Sequence, residues 1–125
     1  AILFADILLI PHALGQELAF REGEGPVLGA IRTEGELVKL RLEGLHQRLA
    51  PVYEAVSRIK AALPAETALI GFAGAPWTVA TYMLEGRGGN EQAAAKTWAF
   101  GNPAGLDRLI SLLVEATCAY LDQQV

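Results

Sequence analysis

Asp6 and Tyr82 are the side chains of this sequence whose positions could support chemistry. Asp6 follows the apolar run Ala1 to Ala5, so it stands at the carboxyl end of a predicted strand, where α/β proteins form their sites. A carboxylate there could bind a cation, orient a base or accept hydrogen bonds from ligand N–H groups, and it could equally cap the following turn. Tyr82 lies five residues after Trp77, and its phenol can donate or accept a hydrogen bond. Position alone favours a half-buried aromatic with its hydroxyl in water.

The histidines, the cysteine and the glycines indicate no further site. His12 and His46 are too far apart for a helical metal pair, and no other spacing is typical of a metal site. Cys118 is the single cysteine, so an internal disulfide is excluded, and its place in an apolar helix predicts an inert core residue. No run of glycines matches a dinucleotide-binding or phosphate-binding loop. The residues alone therefore predict one candidate carboxylate and leave the reaction open.

Composition limits the class of protein. The 125 residues suffice for one domain, and 52% of them are hydrophobic while 19% are charged, which is apolar for a small domain. A net charge of −4 without a basic cluster argues against nucleic-acid binding. No apolar run approaches the roughly 18 residues of a membrane span. A single cysteine agrees with a reducing, cytoplasmic setting.

The two ends of the sequence predict an interior piece of a longer protein. The chain begins directly with the apolar AILFADILLI and stops at CAYLDQQV, which still has a helical pattern and no capping glycine. Natural domain termini are usually polar. We therefore expect residues 1–125 to form a single partial domain.

The elements that must position Asp6 and Tyr82 follow an α/β order. Ala1 to Ala5 and Ala68 to Phe72 read as short strands that are apolar on both faces. About sixty residues separate these runs, so they are expected to be neighbouring parallel strands joined by a crossover. Two apolar segments around Arg21 to Gly25 predict a β-hairpin with Pro26 on an edge. Such units build open sheets or (β/α)₈ barrels, and the pattern does not choose between them.

Helices are predicted in five places. A Thr33 and Glu36 capping box precedes a short helix, and apolar spacing gives a long helix that ends before Pro64. A third helix is closed by Gly86 and by the pair Gly88 and Gly89, and Asn102 with Pro103 begins the last one. The predicted helical ranges are 34–39, 46–63, 77–84, 91–100 and, for the last helix, from Pro103 onward.

Two motifs resemble the uroporphyrinogen decarboxylase family. The segment GFAGAPWTVATYMLEG, Gly71 to Gly86, is similar to a family signature of Gly-Phe, small residues, Pro-aromatic-Thr, and then Tyr and Glu-Gly. The opening AILFADIL resembles the aspartate-bearing strand of the family. The hairpin LAFREGEGPVL and the Asn-Pro helix start also fit, so the resemblance covers essentially the whole chain.

The resemblance implies a fold and an activity. The fold would be a (β/α)₈ TIM barrel, of which this piece holds roughly the second and third β/α units with a β-hairpin insertion. The activity would be decarboxylation of the four acetate side chains of uroporphyrinogen III to coproporphyrinogen III, a step of haem and porphyrin biosynthesis. No metal and no organic cofactor would be required. The full-length enzyme would be cytoplasmic and a homodimer.

The resemblance also assigns roles to residues. Asp6 would be the catalytic and substrate-binding aspartate, which accepts hydrogen bonds from the pyrrole N–H groups and offsets the charge of the protonated intermediate. Tyr82 would hydrogen-bond a substrate carboxylate, and Phe72 would line the cleft. The arginine segment, the later hydroxyl residue and the histidine of the family have no counterpart here, so no basic residue of this chain is assigned to catalysis.

Two other functions remain open. Cobalamin- or thiol-dependent methyltransferases share the barrel superfamily, but they typically use a zinc held by His and Cys, and this sequence has no such cluster. The 125-residue chain could also be a folded module without activity of its own. We expect the isolated chain to be inactive, and to associate because its strand edges lack partners.

Overall fold

The computed structural model describes residues 1–88 and 91–125. Gly89, which the sequence pairs with Gly88, lies outside them. Within these ranges the chain forms one antiparallel hairpin and six helices. In chain order the elements are α1 (Leu9–Ala13), β1 (Leu18–Arg21), β2 (Gly25–Leu28), α2 (Glu34–Leu37), α3 (Leu45–Ala62), α4 (Pro76–Glu85), α5 (Ala93–Gly101) and α6 (Pro103–Asp122).

The two apolar runs that were predicted as strands meet in one parallel bridge between Ile2 and Ile70. The Ile70 N–H donates to the Ala1 carbonyl at 2.8 Å, and the Ala1 ammonium donates to the Ala68 carbonyl at 2.6 Å. The parallel orientation is confirmed, but the prediction of two regular strands covered on both faces was wrong. Ile2 and Ile70 are 56% and 63% exposed. Within the described part of the chain, each run has only the other beside it, so the ladder does not extend.

The predicted hairpin is confirmed. Leu18 pairs with Leu28 and Phe20 pairs with Pro26 in the antiparallel register of β1 and β2. The Leu28 N–H also donates to the Gly86 carbonyl at 2.8 Å, which ties the hairpin to the end of α4. Gly86 has a φ of +85°, and a Cβ there would lie 2.9 Å from the Leu28 carbonyl oxygen. Glycine is therefore required where α4 ends against the hairpin.

The helices cover one apolar core. α4 packs against α5 and α6, and α1 packs against α3. The largest side chains that are completely buried come from the α1 end and from α3, α4 and α6: Leu14, Leu49, Met83, Leu84, Leu109 and Leu113.

The last helix turns one face toward the core. Leu109, Leu113, Thr117 and Tyr120 are buried on α6. The prediction that Cys118 is a core residue was wrong, because Cys118 is exposed. It follows Thr117 directly, and one residue of an α-helix turns the side chain about 100° away from the buried face.

The helix starts follow their capping residues. The Thr33 and Glu36 capping box is present at α2, and Asn102 Oδ1 accepts a hydrogen bond from the Gly105 N–H at 3.0 Å at the start of α6. α5 begins at Ala93 rather than at residue 91, because Glu91 and Gln92 have positive φ angles of 49° and 59°.

Candidate active site

Asp6 lies in the turn between the parallel bridge and α1. Its Oδ1 accepts a hydrogen bond from the Leu8 N–H at 2.8 Å, and its carbonyl accepts one from the Leu9 N–H at 3.1 Å. Asp6 is exposed, and no donor in residues 1–88 or 91–125 hydrogen-bonds its Oδ2. The carboxylate therefore caps the turn with one oxygen, which fixes its orientation, and leaves the other oxygen for a ligand.

Tyr82 lies on the second turn of α4. Its side chain is half-buried, and its carbonyl accepts a hydrogen bond from the Gly86 N–H at 2.8 Å, where the helix ends. The hydroxyl makes no hydrogen bond to any residue that the structure describes. Tyr82 is fixed on a helix, and its hydroxyl has no hydrogen-bond partner among the described residues. It is therefore well placed to contact a ligand.

Asp6 and Tyr82 line the same cleft. The cleft has a volume of about 550 Å³ and opens between the start of the chain, the hairpin and the end of α4. Its walls are mostly apolar, from Phe4, Ile7, Leu8, Pro26 and Val27. A volume of this size with apolar walls and few polar groups is typical of a small-molecule site.

Close packing holds the Asp6 turn against α4. A Cβ built on Gly74 would lie 2.8 Å from Ile7 Cβ and 2.8 Å from Val79 Cγ2. Because no side chain fits at position 74, Ile7 and the first turn of α4 both pack against the backbone of Gly74. A larger residue there would push apart the two elements that carry Asp6 and Tyr82.

The sequence did not indicate the aromatic ring and the two charged side chains that also line the cleft. Phe4, Glu24 and Arg87 line it, and Arg87 Nη1 lies 3.9 Å from Glu24 Oε1. The two charged residues are distant in the sequence, which therefore gave no local signal that they share a cleft. Phe72 does not line this cleft, but its ring centroid lies 5.1 Å from that of Phe4.

Tyr120 lies behind Asp6, on the core side. Both residues border a void of about 10 Å³ between α6 and the Asp6 turn. Burial raises the pKa of Tyr120, so its phenol remains neutral at neutral pH. The back of the site therefore adds no charge to that of Asp6.

Residues 1–88 and 91–125 contain no group of three His, Cys, Asp or Glu side chains placed to hold a metal ion. No helix in these ranges is long and apolar enough to cross a membrane.

Similar proteins were found by sequence and by structure. The model of the family described as uroporphyrinogen decarboxylase (URO-D) matches residues 1–125. The uroporphyrinogen decarboxylases of Hyphomonas neptunium and Sphingopyxis alaskensis are 52% and 53% identical over 125 residues, which is 100% of this chain and 36% of each relative. The chain thus spans about a third of the length of these curated relatives.

A solved structure shares the fold. The methyltransferase from Methanosarcina mazei superposes on 98% of this chain and 36% of its own, with a TM-score of 0.75 and 18% identity. At this identity the likeness concerns the fold alone. The α/β class is confirmed, and the match to part of a larger chain agrees with the predicted portion of a barrel.

Proposed function

Because the chain belongs to the uroporphyrinogen decarboxylase family, we propose that its protein decarboxylates the four acetate side chains of uroporphyrinogen III to give coproporphyrinogen III. This would be a step of haem biosynthesis that needs no metal and no organic cofactor. The observation that carries the proposal is that Asp6 and Tyr82 line one cleft. The chain spans 36% of its curated relatives, so residues 1–125 are proposed to be one part of the catalytic domain.

The chemistry needs an electron sink. When a proton adds to a pyrrole ring, the ring becomes a cation that can accept the electron pair of the breaking carbon–carboxylate bond. Carbon dioxide leaves, a proton adds to the remaining methylene carbon to give a methyl group, and the ring releases the proton that it first accepted, so that one proton is consumed for each carboxylate lost. A carboxylate placed against the ring N–H groups stabilises that cation before carbon dioxide leaves.

Asp6 is the residue for this role. The Leu8 N–H fixes its Oδ1, so Oδ2 has a set direction in which to accept pyrrole N–H hydrogen bonds. Asp6 is exposed on the wall of the cleft, whereas a charge interaction is strongest away from water. A bound macrocycle that packs on Phe4 and Val27 would cover the carboxylate and supply the low-dielectric surroundings.

Tyr82 is the residue for substrate orientation. Tyr82 lines the cleft, and the proposed substrate carries carboxylates around the rim of its macrocycle. A phenol that donates to a carboxylate forms a charge-assisted hydrogen bond, which is stronger than one between neutral groups. Such a bond would place one acetate relative to Asp6.

The proposal is tested by turnover of the full-length protein. Uroporphyrinogen III is supplied without oxygen in chelator-treated buffer, and the carboxylate number of the product is followed. Stepwise loss of four carboxylates without added metal supports the proposal. Loss of activity on metal removal, with recovery on adding zinc, would favour a methyltransferase-like chemistry instead.

The protein is also proposed to be a cytoplasmic homodimer. The support is the family to which the chain belongs. In the 125-residue chain on its own, Phe4 and Ile70 are 73% and 63% exposed, and such patches favour association. The isolated 125-residue chain is expected to be inactive, because the cationic residues of the family motif lie elsewhere.

A further inference from the structure

Arg87 is the cationic side chain among the described residues that line the cleft. It lies directly after Gly86, whose carbonyl accepts the 2.8 Å hydrogen bond from the Leu28 N–H. The backbone next to Arg87 is therefore fixed against the hairpin, while its side chain is 66% exposed. A guanidinium is thus held at the rim of the site that also contains Asp6 and Tyr82.

The partner of Arg87 is Glu24, in the turn of the hairpin. Their charged atoms lie 3.9 Å apart, at the limit of an ion pair, and the Glu24 side chain is 47% exposed. Exposed pairs of this length contribute little to stability. The pair therefore does not hold the fold together, and the guanidinium can change partners at small cost.

Glu24 also adds a negative charge to the wall of the cleft. It and Asp6 are both carboxylates on the wall of the cleft. A polycarboxylate that enters would be repelled by both unless a cation lay nearby. Arg87 lines the same cleft and supplies such a cation, and its planar fork can hold a carboxylate through two parallel N–H groups.

We propose that Arg87 binds a carboxylate of the substrate. Until the substrate binds, Glu24 holds the Arg87 guanidinium at the cleft, and the substrate carboxylate then takes the place of Glu24. This inference rests on the proposed function, and it assigns a specificity role to a residue of this chain. Substrate binding would replace a long, exposed ion pair by a short one inside the cleft. In a variant that lacks the Glu24 carboxylate, the Arg87 guanidinium would bind a substrate carboxylate more tightly than it does in the wild type.

The test compares both partners of the pair in the full-length protein. Arg87→Gln and Glu24→Gln both remove the ion pair, but only the first removes the proposed ligand. Arg87→Lys keeps the charge without the fork. Arg58→Gln is the matched control, since Arg58 forms an exposed pair with Glu54 on α3, away from the cleft. The readouts are KM and kcat for uroporphyrinogen III and, independently of turnover, binding of the oxidised porphyrin uroporphyrin by fluorescence titration.

We expect Arg87→Gln to raise KM and to weaken uroporphyrin binding about tenfold or more, as loss of a hydrogen bond to a charged group does. Arg87→Lys should recover part of this loss, Glu24→Gln should lower KM, and Arg58→Gln should match the wild type. Equal increases of KM in Arg87→Gln and Glu24→Gln would overturn the proposal, since they would mean that the pair is only structural. Unchanged binding of uroporphyrin in Arg87→Gln would also overturn the proposal.

The two readouts separate this inference from the proposed function. Wild-type binding of uroporphyrin that depends on Arg87, without turnover, would support carboxylate binding and contradict the reaction. Normal turnover with no effect of Arg87→Gln would support the reaction and overturn the role of Arg87. If the wild-type protein neither binds uroporphyrin nor turns over uroporphyrinogen III, both the proposed function and the role of Arg87 are overturned.

Discussion

Gly88 lies against the hydroxyl of Tyr82. A Cβ built at position 88 would lie 2.7 Å from the Tyr82 hydroxyl oxygen and 2.9 Å from its Cζ. Contacts this short do not occur with real side chains, so any residue other than glycine would displace the phenol. The absence of a side chain at position 88 therefore keeps the hydroxyl accessible from the cleft, which both residues line.

Gly88→Ala is expected to reduce kcat/KM for uroporphyrinogen III about as strongly as Tyr82→Phe. Removal of a hydrogen bond to a charged group costs about 1.5–3 kcal/mol. Because both changes act on one contact, the double variant should lose less than the two single losses combined. Gly35→Ala is the control, since its Cβ would meet only Thr33 Oγ1 at 3.8 Å. Fully additive losses would contradict a shared contact.

Gly74→Ala is expected to destabilise the protein by about 1–3 kcal/mol, as overpacking of a core does. The added methyl would overlap Ile7 Cβ and the buried Val79. Denaturant unfolding measures the loss. Gly101→Ala is the control, because a Cβ there would have nothing within 4 Å. A Gly74→Ala variant as stable as the wild type would mean that the Asp6 turn can move away from α4.

Stability is expected to fall in acid through Glu34. Hydrogen bonds from Asn102 and Arg108 lower the pKa of Glu34 below its usual 4.5. A carboxyl whose pKa is lower in the folded state stabilises the protein above the unfolded pKa, and this contribution is lost as pH falls through the folded pKa. The melting temperature should therefore decrease below about pH 4.5.

The variant Glu34→Gln tests this assignment. It should melt at a lower temperature than the wild type at pH 7, and the difference should shrink as the pH falls below about 4.5. The exposed Glu66, changed to Gln, is the control. A difference between Glu34→Gln and wild type that stays constant from pH 7 to pH 3 would contradict a role for the ionised carboxylate.

The isolated 125-residue chain is expected to form dimers or larger species and to have no decarboxylase activity. Ile2, Phe4 and Ile70 expose apolar surface beside the one parallel bridge, and a second copy is the most available cover. Sedimentation equilibrium at micromolar concentration, together with a turnover assay, tests both parts. A folded monomer would show that the exposed bridge is tolerated in water, and turnover would show that the missing cationic residues are dispensable.

Local signals in the sequence predicted the helices and the hairpin well. Asn102 before Pro103, and Thr33 before Glu36, each satisfy free backbone groups at a helix start, and both caps are present. The start of α5 was wrong by two residues because the positive φ angles of Glu91 and Gln92 have no simple residue signature. Capping chemistry is local, so it can be read from a few neighbouring residues.

The strands and the rim of the site were less predictable. The run Ala68 to Phe72 has the apolar pattern of a buried strand, yet a strand also needs neighbours, and these are set by distant parts of a chain. The proximity of Asp6 and Tyr82 was expected only from the family resemblance. Glu24 and Arg87 lie 63 positions apart, so nothing in their local sequence indicated that they share a cleft.

The role of Asp6 is tested by the rate of Asp6→Asn in the full-length protein. The substitution keeps the size of the side chain but removes its charge and presents N–H donors toward the pyrrole N–H groups. Loss of one preorganised electrostatic partner typically costs roughly 100- to 1000-fold in rate. We predict a decrease of this size in kcat with uroporphyrinogen III, in a variant that still folds and binds uroporphyrin. Turnover close to that of the wild type would contradict this prediction and would remove Asp6 from the mechanism.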